Sequence, residues 1–394
     1  MTKSRDVGQR ALLLIGLAAV AAGGCRDDVA PFSAGDRRLP AEQVAFRLTF
    51  NPGDDRTPTW SSDGDSIYYA AGGFDLFSDQ ANVLVGQPRL GGVARPITTN
   101  VQVPGTIERW LIAPEVAPSG ERFVYAELGP PWPEVCPGTP VSCNPAVNDA
   151  SLPRLRVIIL RVRRFDATGS AEGDPALTVA IPGVVYDFNI LNTPRTHVVH
   201  NYPFHQLFDQ EGTSVFRPSW APDGARVVYS DGLQLLIWNV GDDEPQPIPN
   251  SSEGVSPAWS PDGALIAFTR LERADSSATT CVYVRGFVAF CVQERTNYLQ
   301  GHRILSLIRP DGSGLTELGD GEDPAWSSDG AMLLFRRDDR IWMGEADGRN
   351  AVPLSFSEGG REPAISPDGL HLAFSKLSQR GDYDIWVISF ELLP

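Results

Sequence analysis

Six times along the chain an apolar residue and a small residue lead into a short polar turn, and a strand of alternating apolar and small residues follows at once. The phrases are PTWSSDGDSIYY (Pro58 to Tyr69), PEVAPSGERFVY (Pro114 to Tyr125), PSWAPDGARVVY (Pro218 to Tyr229), PAWSPDGALIAF (Pro257 to Phe268), PAWSSDGAMLLF (Pro324 to Phe335) and PAISPDGLHLAF (Pro363 to Phe374). In each, Trp60, Val116, Trp220, Trp259, Trp326 or Ile365 is expected to end one strand facing inward. At the turn, Pro presets φ, Asp can bond its own backbone and Gly accepts a positive φ. The pattern therefore predicts a β-hairpin in every copy. The second copy carries Ser119 where the others carry Asp63, Asp223, Asp262, Asp329 and Asp368. A serine can make the same local bond more weakly. Because they recur in one turn of every copy, these side chains are read as structural in preference to a ring of functional carboxylates.

Spacing turns the repeat into an architecture. From Asp223 to Asp262 and from Asp329 to Asp368 the interval is 39 residues, which suits one four-stranded propeller blade; such blades recur at about 40–45 residues. The intervals from Asp63 to Ser119 (56), Ser119 to Asp223 (104) and Asp262 to Asp329 (67) are wider and must hold insertions. These are placed near 128–153, 185–215 and 271–303. Blades are expected near 58–110, 111–184, 185–250, 251–319, 320–357 and 358–394. The last is one strand short, and Ala45 to Phe50 reads as a strand without a blade of its own. Ring closure by that N-terminal strand would remove two exposed edges. The expectation is an all-β, six-bladed β-propeller over 43–394, with seven blades as the alternative if 185–215 holds a degenerate one.

The phrase Trp-Ser-Pro-Asp-Gly before an apolar strand, with a later strand such as Asp384-Ile385-Trp386-Val387-Ile388, resembles the WD-like propeller repeats of the TolB family over roughly 44–391. The resemblance implies a cell-envelope propeller that binds other molecules. The chain is expected to lack the separate α/β domain that precedes the TolB propeller.

The N-terminus bears on location. Lys3, Arg5 and Arg10 precede an apolar or small run from Ala11 to Ala22, and then come Gly23, Gly24 and Cys25. A basic start with a short apolar core reads as a secretory signal over 1–24, too short to span a membrane. A cysteine directly after small residues resembles the lipobox of bacterial lipoproteins, which makes Cys25 the expected lipidated residue. The alternative is an ordinary signal with a coincidental cysteine. Residues 25–42 are polar, with Pro31, Gly35 and Pro40, and read as a tether. Arg26 is not the aspartate that resembles an inner-membrane retention signal, which favours the outer membrane.

Four cysteines remain. Cys281 and Cys291 bracket an alternating segment nearly symmetric about Gly286. A hairpin loop of Arg285, Gly286 and Phe287 would set Val284 against Val288 and Cys281 against Cys291. Opposed residues lie about 4.5–5.5 Å apart between Cα atoms, within disulfide reach. Cys136 and Cys143 would close a Pro/Gly-rich loop. Two local disulfides are expected in an exported chain, against free buried thiols.

Composition fits this picture: 42% hydrophobic residues supply a core, and Gly 38 with Pro 33 suits many turns over long helices. Removing the signal takes away Lys3, Arg5, Arg10 and Asp6, net +2, so the charge moves from −16 to −18. Such acidity disfavours nucleic acid and anionic lipid surfaces. No nucleophile-elbow, zinc-protease, phosphate-loop or calcium-loop motif occurs. His197, His200 and His205 gather three of the five histidines in the longest insertion. Their spacing is irregular for a metal site, so they are read first as packing with Tyr202 and Phe204. Trp132, among Pro130, Pro131 and Pro133, is read either as an exposed contact or as a residue that covers the propeller mouth or packs on a neighbouring blade. Two functions are compatible with these features. One is a monomeric, lipid-anchored scaffold, without cofactor, that holds an envelope protein, peptide or glycan. The other is a propeller enzyme, such as a metal-dependent polysaccharide lyase with a site built from inter-blade loops.

Overall fold

The structure is a computed structural model that describes residues 41–72, 83–98, 110–128, 158–165, 175–178, 184–190, 193–199, 217–232, 234–272, 276–284, 287–296 and 302–391. Cys25, Cys136, Cys143, Trp132, His200 and His205 lie outside the described residues.

Each of the six phrases forms two antiparallel strands around a tight turn, and each pair is the inner half of a four-stranded blade. Strand β1 (Ala41–Arg47) comes first. Blade 1 follows with β2 (Asp54–Trp60), β3 (Ser66–Gly72), β4 (Val83–Pro88) and β5 (Arg95–Pro96). Blade 2 is β6 (Trp110–Val116), β7 (Arg122–Leu128), β8 (Ile158–Arg164) and β9 (Ala176–Thr178). A separate hairpin, β10 (Val184–Ile190) and β11 (Thr193–Val199), precedes blade 3, which is β12 (Ser219–Trp220), β13 (Arg226–Ser230), β14 (Leu235–Asn239) and β15 (Gln246–Pro247). Blade 4 begins with β16 (Gly254–Trp259) and β17 (Ile266–Leu271). The hairpin β18 (Ser276–Val284) and β19 (Phe287–Thr296) then leaves it, before β20 (Arg303–Ile308) and β21 (Thr316–Asp320) complete it. Blade 5 is β22 (Glu322–Trp326), β23 (Met332–Arg337), β24 (Arg340–Glu345) and β25 (Val352–Pro353). Blade 6 is β26 (Gly360–Ile365), β27 (His371–Leu377) and β28 (Tyr383–Glu391), and β1 pairs with β28 as its fourth strand.

The ring is six-bladed. Inner strands touch their neighbours all the way round, β2 to β6, β12, β16, β22, β26 and back to β2. The closing strand runs from Ala41 to Arg47, where Ala45 to Phe50 was expected. Leu48 and Thr49 instead leave the strand to bond the Ile385 carbonyl. Apolar side chains are shared between blades more than stored within them. One buried cluster fills each of the six interfaces, as where Ile67, Tyr69 and Trp60 of blade 1 meet Ala373, Ile385 and Val387 of blade 6. Fully burying one large side chain contributes about 1.5–3 kcal/mol, so every blade depends on the next.

The third blade corrects the sequence-based boundary. Residues 184–199 do not belong to it, and they form no seventh blade. The β10–β11 hairpin pairs with β19 of the other insertion, through Asp187 with Gln293 and Phe188 with Val292, in an accessory sheet ordered β11-β10-β19-β18. The strands alternate apolar and polar residues well enough to pair, but their partner comes from a different blade, which local pattern cannot reveal. In the second hairpin the register also differs in detail. Val284 faces Phe287 and Tyr283 faces Val288, with a bulge beyond Val282, and Cys281 still stands opposite Cys291.

Strand direction sorts the connections onto two faces. All the Asp-Gly-type turns lie on one, here the turn face. The accessory hairpins, and the chain leaving β7 at Leu128, depart from the other. β1, taking the place of an outermost strand, begins on the turn face at Ala41.

Candidate functional site

The turns build the rim of the site. In blades 1, 4, 5 and 6 the Asp Oδ1 accepts a bond from a serine hydroxyl two residues earlier (Ser61, Ser260, Ser327 and Ser366) and from the backbone N–H two residues on. The same serine accepts the N–H five residues ahead of it. In blade 3 Ala221 replaces the serine, and Asp223 instead accepts from the backbone of Ala225 and Arg226 and from the Arg226 guanidinium. Ser119 accepts from the Glu121 N–H at 3.3 Å. The serine bond first, then the backbone bond, holds Asp63, Asp262 and Asp329 below the usual carboxylate range. At Asp223 and Asp368 these bonds outweigh an opposing effect of burial. The turns sit close together around the axis: a Cβ on Gly120, at φ +74°, would come within 2.1 Å of Ser62 Oγ in the neighbouring blade.

The tryptophans join blades. The indole N–H of Trp60 donates to the Ala364 carbonyl, that of Trp220 to Glu115 and that of Trp326 to Ala258, each on the preceding blade. Trp259 turns back on its own blade, to the Gly263 carbonyl.

Six residues before the turn Asp (Ser119 in blade 2), five of the inner strands carry a left-handed residue in front of a proline: Thr57, Ala113, Ser256, Asp323 and Glu362, with φ between 49° and 57°. Register shifts mark a bulge at each. A non-glycine residue held in this region costs about 1–3 kcal/mol, and at three of the five the preceding blade offsets it. The Thr57 N–H donates to Glu362 Oε2, the Ala113 N–H to Thr57 Oγ1 and the Asp323 N–H to Thr269 Oγ1.

Blade 3 has Arg217 at this position, and it behaves differently. Its Nη1 donates at 3.0 Å to the carbonyl of Pro363, on blade 6, diametrically across the ring. Above this bridge a cup of about 310 Å³ opens on the turn face. Its walls include Trp60, Trp259, Trp326, Pro257, Pro324 and Pro367, and Glu115 is its one acidic side chain among the described residues. Glu115 Oε1 accepts from Ser219 Oγ at 3.2 Å and the Trp220 N–H at 3.1 Å. Burial pushes this carboxyl up to about 7, against the lowering effect of the Arg217 charge and of those two bonds.

Neither residue belongs to a recognisable motif. The position four before the turn Asp, or Ser119 in blade 2, holds Thr59, Ser219, Ala258, Ala325 and Ala364 in the other copies, all small, and Glu115 is the exception. That breach of the repeat was the available signal. Of the metal candidates, His197 lies on β11 opposite Tyr186, and His200 and His205 are outside the described residues. Among the described residues no group of three or more His, Cys, Asp or Glu is placed to hold a metal.

No family model and no curated protein matches the chain. Solved structures do. TolB from Acinetobacter baumannii is 14% identical over 80% of this chain and 58% of that one, with a TM-score of 0.46. Oligogalacturonate lyase from Vibrio parahaemolyticus is 11% identical over 89% and 97%, at 0.43. The PQQ-bound aldose sugar dehydrogenase from Streptomyces coelicolor is 12% identical over 90% and 100%, at 0.45. The chain thus spans 58% of the length of the Acinetobacter TolB.

Proposed function

We propose that this protein is a non-catalytic binding scaffold of the bacterial cell envelope, exported by its N-terminal signal, anchored through lipid on Cys25 and holding a protein, peptide or glycan. The observation that carries the binding reading is the cup on the turn face. It is closed below by Arg217, walled by proline and tryptophan, and supplied with one carboxyl group. Ligand cavities usually combine such apolar walls with a few fixed polar groups.

The test is photo-crosslinking in the native envelope from Ser328, an exposed residue on the rim of the cup. Recovery of a discrete envelope partner, lost when the same probe is moved to the outer strand β25, is the expected result. Cleavage of a polysaccharide by the purified protein, stimulated by a divalent metal, would replace this reading with the lyase.

A further inference from the structure

We propose that the cup receives a primary alkylammonium, the side chain of a lysine presented by a partner protein or peptide, with Glu115 as its counter-ion. This rests on the cup being the binding site and adds the chemistry of what enters it.

Three features argue for that chemistry. The cup is small: about 310 Å³ stands at the low end of ligand cavities, which run from about 300 to 1,000 Å³, and suits a side chain better than a polymer strand. Its walls include Pro257, Pro324, Pro367, Ala364 and Ile365, apolar surface of the kind that covers a four-carbon stem while leaving its charge to a polar partner. The acid in the cup is held in place with one oxygen to spare. Both bonds from Ser219 and Trp220 fall on Oε1, and Ser219 is itself fixed by accepting the Trp259 N–H at 3.0 Å. Oε2 is left to accept from a ligand.

Arg217 is the other charged residue of the lining. No ion pair joins it to Glu115, and its Nη1 is committed to the Pro363 carbonyl. It closes the cup and opposes the cation by charge, so its removal should strengthen binding. The whole chain, at −16, favours the approach of a cation. Because the Glu115 carboxyl titrates at about 7, an arriving ammonium takes up the ionised form and displaces a proton. Affinity therefore rises with pH through that value and levels off above it.

The experiment titrates the full-length protein in detergent with n-butylammonium and, separately, with butyrate, by calorimetry and by the indole N–H signals of Trp60, Trp259 and Trp326. Butylammonium should bind in preference, about tenfold more tightly at pH 8 than at pH 6 for one carboxyl titrating near 7. Glu115→Gln keeps an oxygen for Ser219 and Trp220, so the fold should survive; it should weaken binding by about tenfold or more. Arg217→Gln should tighten it. Preference for butyrate, absence of binding by either probe, an affinity indifferent to Glu115→Gln, or weaker binding at higher pH would each overturn the proposal. If a partner is still crosslinked from Ser328 after such a result, the scaffold reading stands and only the lysine is wrong. If the crosslink is absent too, both readings fall.

Discussion

Arg56 of the first blade and Glu362 of the last form a buried, two-bonded ion pair across the seam where the ring closes. Nη2 lies 2.6 Å from Oε1 and Nε 3.2 Å from Oε2, with Glu362 fully enclosed. Ser375 Oγ and the Thr57 N–H also donate to Oε2, and the Tyr383 ring lies 4.5 Å from the guanidinium. Every acceptor position that matters is filled, which is the condition for a buried pair to be tolerated. Removing one partner strands the other, so Arg56→Ala should cost about 3–5 kcal/mol in urea unfolding. Arg56→Met combined with Glu362→Gln should recover part of that loss, because no charge is stranded and Thr57 keeps an acceptor. A double variant no more stable than Arg56→Ala would contradict this account.

The same pair sets the acid limit. Burial alone would raise the Glu362 carboxyl, but the Arg56 charge, its hydrogen bonds and those from Ser375 and Thr57 bring it down to about 2. A carboxyl lowered on folding contributes stability that is complete above its unfolded value, near 4.5, and fades as pH falls toward 2. Wild-type unfolding midpoints should drop across that window. The Arg56→Met, Glu362→Gln protein should show a shallower drop.

Asp55 acts in the opposite direction. It is fully buried, Oδ1 accepts one bond from Asn51 at 3.1 Å, and Oδ2 has no partner. Burial, with Asp384 and Asp54 nearby, pushes its carboxyl up to about 7 despite the lowering effect of Asn51 and of the neighbouring Thr49 hydroxyl. The folded state therefore holds a proton that the unfolded chain releases near 3.8. This stability is complete below the unfolded value and is lost as pH rises through about 7. Asp55→Asn should be more stable than wild type at pH 8, by roughly 1–2 kcal/mol, and should show less decline between pH 5 and pH 8. Glu115 shares the window, so some decline remains. A variant less stable than wild type at pH 8 would show that the ionised form is accommodated.

Cys281 and Cys291 stand opposite one another on β18 and β19. In the exported protein both should resist alkylation until reduced. A bond between them would close a short loop and contribute about 2–3 kcal/mol to the hairpin. Labelling without reductant would remove it from the account.

Lipidation is checked at Cys25. Cys25→Ala should accumulate as an unprocessed precursor that takes up no labelled acyl chain. Normal processing of that variant would leave an ordinary signal peptide.

The blades were readable because each carries its own punctuation. Pro-Asp-Gly and Ser-Asp-Gly dictate a turn within a few residues, and an alternating strand must follow it, so six local decisions determine a ring. The accessory sheet was not readable in the same way, since the pairing of Phe188 with Val292 depends on where two blades bring their insertions. The site failed to show for a different reason. Thr57, Ala113, Ser256, Asp323 and Glu362 share one backbone conformation and no side-chain chemistry. Glu115 stands out only against the small residues that the other copies hold at its offset, and Arg217 only as the one cation among Thr57, Ala113, Ser256, Asp323 and Glu362. Reading a repeat for its exceptions, as well as its consensus, would have found them.

The direction of β1 gives the ring a front and a back. Because the closing strand starts at Ala41 on the turn face, a chain tethered at Cys25 leaves from the side on which the cup opens. The sixteen residues from Cys25 to Pro40 reach at most roughly 55 Å when fully extended. A lipid there would keep the start of β1, on the side of the mouth, within that distance of the bilayer. Partners for the two faces would then be sorted by size and reach: slender segments that can slip beneath the disc on one side, whole domains on the other.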